Sequence, residues 1–214
     1  GATEAAALAC AGRGLRAGPV EHDAVAAWVD PVLGVDAAGQ VSVEVPGETA
    51  LQAANSETGV IQDLPQGLAV VDATQAFGKI PFAFSWAGCT AALVSAHKLG
   101  GPKGIGALVV KRGTDLQAQL KGGGQEMGRR AGTENIIGIA GFGAAAEAAQ
   151  RDLEQGVWDE VEKLRNVLEN IVADGARETI FVGNAARRLP NTSCFAMTGW
   201  KGETQVMQMD RAGF

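Results

Sequence analysis

Three apolar runs, Leu68-Ala69-Val70-Val71, Ala91-Ala92-Leu93-Val94 and Ile105 to Val110, do most to limit what this chain can fold into. Each is too short for an ordinary helix and lacks polar alternation, so each predicts a strand buried on both faces. Longer stretches with helical spacing lie around them. Residues 4–12 are alanine-rich and predict a helix with Thr3 as its N-cap. Asn135 to Gln150 carries apolar residues on most faces and predicts a helix packed between layers. Val157 to Val172 has an apolar stripe of Val157, Val161, Leu164, Leu168 and Ile171, with Gly175 placed as a C-cap. Val41 to Val45 alternates like a strand; further strands are expected at 179–182 and 193–197, and a helix from about 203. Strands alternating with helices imply an α/β fold. A change of character near residue 151 divides the chain into a large domain, 1–150, and a smaller C-terminal one, 151–214.

The connections are short for such a fold. Parallel neighbours need a crossover of about a dozen or more residues, usually helical. Little room lies between Asn55 and Leu68, and Pro65 with Gly67 discourages a helix there. Arg13 to Pro19 is also too short to hold a connection and a strand of its own. The chain therefore reads either as an abbreviated variant or as one from which segments are missing.

Charge and composition remove several classes of function. A net charge of −6 argues against nucleic acid or an anionic membrane as the main partner. The longest small-and-apolar run, Ile136 to Ala146, is well short of the roughly 18 residues that suggest a membrane span. No secretory leader pattern stands at the start, although Gly1 is not a natural start. Cys10, Cys89 and Cys194 are far apart, without metal-ligand spacing, and read as reduced thiols of the core. A cytoplasmic protein without a metal site is the expectation.

The chemistry begins at Lys98. It follows the run Ala91 to Val94 and stands beside Ser95 and His97, where an amine can be stripped of water, lose its proton near neutral pH and form a Schiff base. A surface turn lysine is the competing reading. Asp72 closes the run Leu68 to Val71 at the same carboxyl edge, where open α/β sheets bind ligands; a turn or N-cap aspartate is its alternative. A carboxylate facing a reactive lysine across a flat heterocycle is the arrangement that pyridoxal phosphate requires. The lysine forms the imine and the aspartate keeps the ring nitrogen protonated.

The run Ser95-Ala96-His97-Lys98 with Gly101-Pro102-Lys103-Gly104 resembles the cysteine desulfurases, pyridoxal-phosphate enzymes that supply sulfur for iron–sulfur clusters. The resemblance extends in the family's order through Gly1-Ala2-Thr3-Glu4-Ala5, Val20-Glu21-His22, Ala54-Asn55-Ser56-Glu57-Thr58-Gly59 and Asp72-Ala73-Thr74-Gln75. It continues through Gly122-Gly123-Gly124-Gln125-Glu126 and Arg130-Ala131-Gly132-Thr133-Glu134-Asn135 to Leu189-Pro190-Asn191-Thr192. The Pro-Lys-Gly form of the glycine turn is similar to the branch serving general and nitrogen-fixation cluster assembly. The resemblance implies the three-layer α/β/α fold of fold-type I pyridoxal-phosphate enzymes, with a mostly parallel sheet and part of a small C-terminal α+β domain. It implies conversion of L-cysteine to L-alanine, with the sulfur passing to an enzyme persulfide and then to an acceptor or scaffold protein.

The same resemblance implies roles for individual residues. Lys98 binds pyridoxal 5'-phosphate and moves the substrate α-proton. Thr3, Ser95 and His97 hold the phosphate, a helix N-terminus being favourable for an anion. His22 stacks on the ring and shuttles a proton, its alternative being a helix-start surface histidine. Asp72 meets the ring nitrogen, Gln75 donates to the phenolic oxygen, and Asn55 contacts the cofactor or substrate carboxylate region, with a turn residue as alternative. Thr133 reaches the phosphate of the neighbouring subunit, which implies a homodimer; an N-cap near Asn135 is compatible with that. The nucleophilic cysteine of the family follows a segment similar to Val206 to Phe214, and none of the three cysteines matches it. Trp28, Trp158 and Trp200 are expected to pack, Lys103 to shape its turn, and Arg129 and Arg130 to help at the phosphate or the dimer interface. Two other readings stay open: another class V enzyme, such as a selenocysteine lyase or aminotransferase, and a non-catalytic dimeric homologue.

Overall fold

The structure, a computed structural model, describes residues 1–176 and 178–214. At its centre is a four-stranded sheet in the order β1 (Ala50–Gln52), β2 (Val70–Asp72), β3 (Ala91–Ser95) and β4 (Gly106–Val110). The first three strands run parallel, and β4 returns antiparallel against β3 with Gly106 opposite Ser95. Every residue of β2 and β3 is buried, as their continuous apolar runs predict when both faces are covered, and so is every residue of β1; β4, expected to be buried likewise, is not, because it lies at the sheet edge with Val109 41% exposed. Strand alternation divides them between two cores. Ala50, Val70, Ala91 and Leu93 meet Ala6, Ala9 and Cys10 of α1 (Ala2–Cys10) and Val25 of the single turn α2 (Asp23–Ala26). Leu51, Val71, Ala92 and Val94 face the opposite core, with Leu68, Phe77 and Leu189. The single turn α3 (Phe84–Ala87) and Phe142 of α4 (Ile136–Glu154) pack against that second core. Helices thus cover both faces, giving the expected three layers.

After α4 come α5 (Val157–Gly175), a two-stranded antiparallel sheet of β5 (Thr179–Phe181) and β6 (Phe195–Met197), and α6 (Gly202–Arg211). Residue 151 lies inside α4, and Gln155 and Gly156 separate α4 from α5. Among the described residues no helix is long and apolar enough to cross a membrane.

Several local expectations are corrected. Val41 to Val45 is not a strand: Val41 makes only an isolated bridge to Val35, and its N–H donates to Gln62 Oε1 at 2.9 Å. The strand of that region is Ala50–Gln52, hidden in the sequence because a glutamine interrupts so short an apolar run. Thr3 does not cap α1; Gly1 stands at the N-cap and Thr3 lies within the first turn. Gly175 is still helical, and Ala176 follows as the C-cap. The α4 helix is not enclosed between layers, since only Gly138 and Ala149 are buried and Ile137 is 84% exposed. The α5 stripe likewise faces outward, with Leu164, Leu168 and Ile171 exposed. Trp158 packs, donating to the Gly78 carbonyl at 2.8 Å, whereas Trp28 and Trp200 are exposed.

The crossover from β1 to β2 contains no helix. It is held by a docked loop: the Ile61 N–H donates to the Arg187 carbonyl and the Leu189 N–H to the Gly59 carbonyl, each at 2.8 Å. Gly59 has φ +74°, and a Cβ there would lie 2.7 Å from Thr192 Cβ. Two segments far apart in sequence, Asn55 to Gly59 and Leu189 to Thr192, therefore meet at a position where only glycine fits.

Candidate active site

Strands β2 and β3 end side by side, and the chemistry collects at that carboxyl edge. Asp72 is the last residue of β2, 8% exposed, and its Oδ1 accepts the Thr74 N–H at 2.9 Å. Burial pushes its carboxyl above the ordinary range, while hydrogen bonding from Thr74 and then the charges of His22 and Lys98 pull the other way. A carboxylate placed so deeply calls for a cationic or N–H partner. Oδ2 has no hydrogen-bond partner among the described residues.

Lys98 sits in a 3-10 turn, Ala96–Leu99, directly after β3. The turn is pinned on both sides: the Ala96 N–H donates to the Ile105 carbonyl at 3.0 Å and the Gly101 N–H to the Ala96 carbonyl at 2.9 Å. Gly100 closes it at φ +84°, a conformation that glycine adopts without strain. The partly buried Lys98 amine makes no hydrogen bond and no ion pair among the described residues.

Around it stand groups suited to an anion. Ser95 Oγ and His97 Nδ1 are 2.9 Å apart. Burial and then the charges of Lys98 and Lys103 hold the His97 imidazole below its usual value. The first turn of α1 abuts the same corner, because a Cβ on Gly106, the partner of Ser95, would come within 2.9 Å of the Gly1 carbonyl carbon. The unpaired N–H groups of that turn, with Thr3 among them, favour negative charge. Glu4 in the same turn binds Arg130 at 2.7 Å, tying the loop before α4 to α1.

His22 is the N-cap of α2: its Nδ1 accepts the Ala24 N–H at 3.1 Å. The helix-start reading therefore holds for one ring nitrogen and leaves Nε2 free. Asn55 is taken up locally. Its Oδ1 accepts from the Glu57 and Thr58 N–H groups, and its Nδ2 donates to the Val20 carbonyl at 3.1 Å, so it builds a turn and anchors the segment entering His22. Thr133 is exposed on the loop before α4 and does not cap that helix; Asn135 does, its Oδ1 accepting the Gly138 N–H at 3.0 Å.

Two groups at this edge were not anticipated. Glu21 Oε1 accepts the Gln52 N–H at 3.0 Å, while Oε2 is buried without a partner among the described residues. Burial above all, with Asp72 adding to it, pushes Glu21 up to about 8, so it holds its proton at neutral pH. Lys79 is 6% exposed, and its Nζ donates to Gln75 Oε1 at 2.8 Å and to the Gln75 carbonyl at 3.1 Å. The only signals in the sequence were Glu21 beside His22 and the four-residue spacing from Gln75 to Lys79. Cys10 and Cys89 are buried in the two cores, and burial pushes the Cys10 thiol up to about 11.

The sequence pattern of the aminotransferase class-V family matches residues 45–214. The chain is 37% identical to a cysteine desulfurase of Gluconacetobacter diazotrophicus over 221 residues, covering 91% of this chain and 55% of that protein. It is 37% identical to a cysteine desulfurase of Cereibacter sphaeroides over 222 residues, covering 91% and 56%. The X-ray structure of a NifS-like protein from Rickettsia africae superposes with a TM-score of 0.89 at 26% identity, covering 98% of this chain and 66% of that one. A second NifS-like protein superposes with a TM-score of 0.88 at 29% identity, covering 100% and 68%. The chain spans about half the length of the curated relatives it matches.

Proposed function

The chain belongs to the aminotransferase class-V family, and from that premise we propose that it forms the cofactor-binding core of a pyridoxal-phosphate-dependent cysteine desulfurase. The observation that carries this reading is the pairing of a buried, half-partnered carboxylate, Asp72, with the unpaired amine of Lys98 at one sheet edge. Those residues fit pyridoxal 5'-phosphate. Asp72 Oδ2 suits a protonated ring nitrogen, Lys98 suits the aldehyde carbon, and the α1 turn with Thr3, Ser95 and His97 suits the phosphate.

When bound, pyridoxal phosphate supplies an electron sink that makes a substrate Cα–H acidic. The chain's own groups do the rest. Lys98 would hold the cofactor covalently and, with its amine free, would take the substrate α-proton. Asp72 would keep the ring nitrogen protonated. His22, fixed through Nδ1, would offer Nε2 for proton transfer, and Gln75 Nε2 would serve as the donor for the phenolic oxygen. The sulfur of L-cysteine would pass to a thiolate: a persulfide S–S bond forms as the substrate C–S bond breaks, the electron pair of that bond stays with the substrate carbon, and a proton added there completes alanine. Cys10 and Cys89 are too deeply buried, and too firmly protonated, to be that thiolate. Delivery of the sulfur to an acceptor for iron–sulfur cluster assembly follows from the same reading.

The test is to load the full-length protein with pyridoxal phosphate and supply L-cysteine together with dithiothreitol, whose thiols reduce the persulfide and release its outer sulfur as sulfide. A yellow protein that releases alanine and sulfide in equal amounts is the expected result. Colour without sulfur release from L-cysteine points to a different class V reaction, and a colourless protein rejects the cofactor.

A homodimer belongs to the same proposal. Met127, Ile136 and Ile137, which flank Thr133 in sequence, are 85%, 73% and 84% exposed, and apolar side chains so exposed support an interface carrying Thr133 toward a second subunit. Ile137→Asp is expected to convert the full-length dimer to monomer in light scattering; an unchanged mass rejects this interface.

A further inference from the structure

We propose that Lys79 is a positioning residue whose buried ammonium fixes the Gln75 side chain with Oε1 turned inward and Nε2 turned toward the ligand edge of Asp72 and Lys98. The inference rests on the cofactor reading above and extends it to a residue outside the expected set.

A glutamine amide can face a ligand as donor or acceptor, and the two orientations have nearly the same shape. What decides between them here is the neighbour. An ammonium has three donors and no acceptor, so the Gln75 atom 2.8 Å from Lys79 Nζ has to be the oxygen. The other amide atom, Nε2, makes no hydrogen bond among the described residues and is left as a free donor. Lys79 also holds the Gln75 backbone carbonyl at 3.1 Å, so both ends of the residue are restrained. Burial lowers the Lys79 amine to about 8, and the Lys98 ammonium adds to the lowering. The residue thus remains charged at neutral pH, and it lies close enough to Lys98 for the two charges to interact.

The burial of this lysine is otherwise hard to account for. It lies in the turns after β2, beside Gly78, whose carbonyl accepts Trp158 Nε1. No carboxylate pairs with it among the described residues, and Gln75 supplies its only acceptors. Burying an ammonium on two neutral acceptors is unfavourable unless the contact has a use. A fixed amide donor aimed at an anionic phenolic oxygen is such a use: it stabilises that oxygen, whereas the reversed amide would repel it.

The experiment compares the full-length protein, Lys79→Met, Lys79→Arg, Gln75→Ala and the Lys79→Met/Gln75→Ala double variant, each loaded with pyridoxal phosphate. The readout is the pH midpoint of the visible spectrum. In Lys79→Met the midpoint is expected to rise by about one pH unit, the size of one hydrogen bond to a charged oxygen. Lys79→Arg, still a donor, should keep the midpoint close to that of the parent. In the Gln75→Ala background, Lys79→Met should add nothing. An equal shift in that background means that Lys79 acts by direct charge, and an unchanged midpoint in Lys79→Met means that it is only a turn staple; either overturns the proposal. A crystal structure of the loaded parent is independent of how the variants fold: Lys79 bound to Gln75 Oε1 supports the proposal, and Lys79 turned elsewhere overturns it. A parent without a visible band would reject the cofactor reading itself, an outcome distinct from these.

Discussion

Lys98→Ala is expected to yield a folded protein that no longer holds pyridoxal phosphate covalently and has lost turnover. The amine makes no hydrogen bond or ion pair among the described residues, and its turn is held by backbone contacts through Ala96 and Gly101. Removing it should therefore change stability by no more than about 0.5 kcal/mol. The chemical loss is of another order. The same nitrogen is assigned both the covalent link and the α-proton, and loss of a positioned base alone costs about 10²–10⁴-fold in rate. Activity is expected to fall by at least about a thousandfold, together with the visible band. Arginine cannot substitute, because a guanidinium keeps its proton and does not attack a carbonyl. Borohydride treatment should label the parent at Lys98 and leave the variant unlabelled. A variant that kept both colour and turnover would require a different lysine.

Arg188→Ala has the largest expected effect on folding. Arg188 and Glu169 are 5% and 14% exposed and form a bidentate pair at 2.7 and 2.9 Å, with Ser193 Oγ adding a hydrogen bond to Glu169 at 2.6 Å. Arg188 also bridges to Val60, in the loop that carries Asn55 and Gly59, so the pair fastens α5 to the crossover beside the site. Removing Arg188 leaves the largely buried Glu169 carboxylate with only Ser193 and the charge of Arg165, and a loss of up to about 3 kcal/mol, the low end for breaking a buried pair, is expected in urea unfolding. Replacing both by apolar residues of similar size should recover most of it. Acid gives a second reading. The Arg188 guanidinium, assisted by Ser193, holds Glu169 below its ordinary value of 4.5. A lowered carboxylate stabilises the fold fully above that value and ceases to do so as pH falls through the folded one. The gap between parent and Arg188→Ala should accordingly narrow in acid. A gap that stayed constant would show that lost packing, and not charge, accounts for the effect.

Much of the site is written locally. The runs ending at Asp72 and just before Ser95 are continuous and apolar, so their strand character and parallel burial follow from the residues themselves. A polar residue closing such a strand lies at the ligand edge whatever surrounds it, which is why Asp72 and Lys98 were legible together. The first strand was not legible: Gln52 looks polar until Glu21 and the Val20 carbonyl are seen to satisfy it. The local bonding of Asn55 and His22 was not legible: both ends of the Asn55 amide and Nδ1 of His22 are taken up by backbone groups that only the fold brings into reach.

The sequence by itself determined strands β2, β3 and β4, the edge at which β2 and β3 end and the residue types that gather there, since apolar runs and strand termini are local properties of the chain. Only the tertiary structure decided burial and pairing. The α4 and α5 stripes show helical spacing but face outward, because a stripe is buried only where another surface covers it. Lys79 reads as an ordinary charged turn residue, yet the packing around Gly78 takes its amine out of water and leaves Gln75 as its acceptor. Glu21 holds a proton for the same reason. The energy of a charge depends on what surrounds it, and in a folded chain most of those surroundings come from residues distant in sequence.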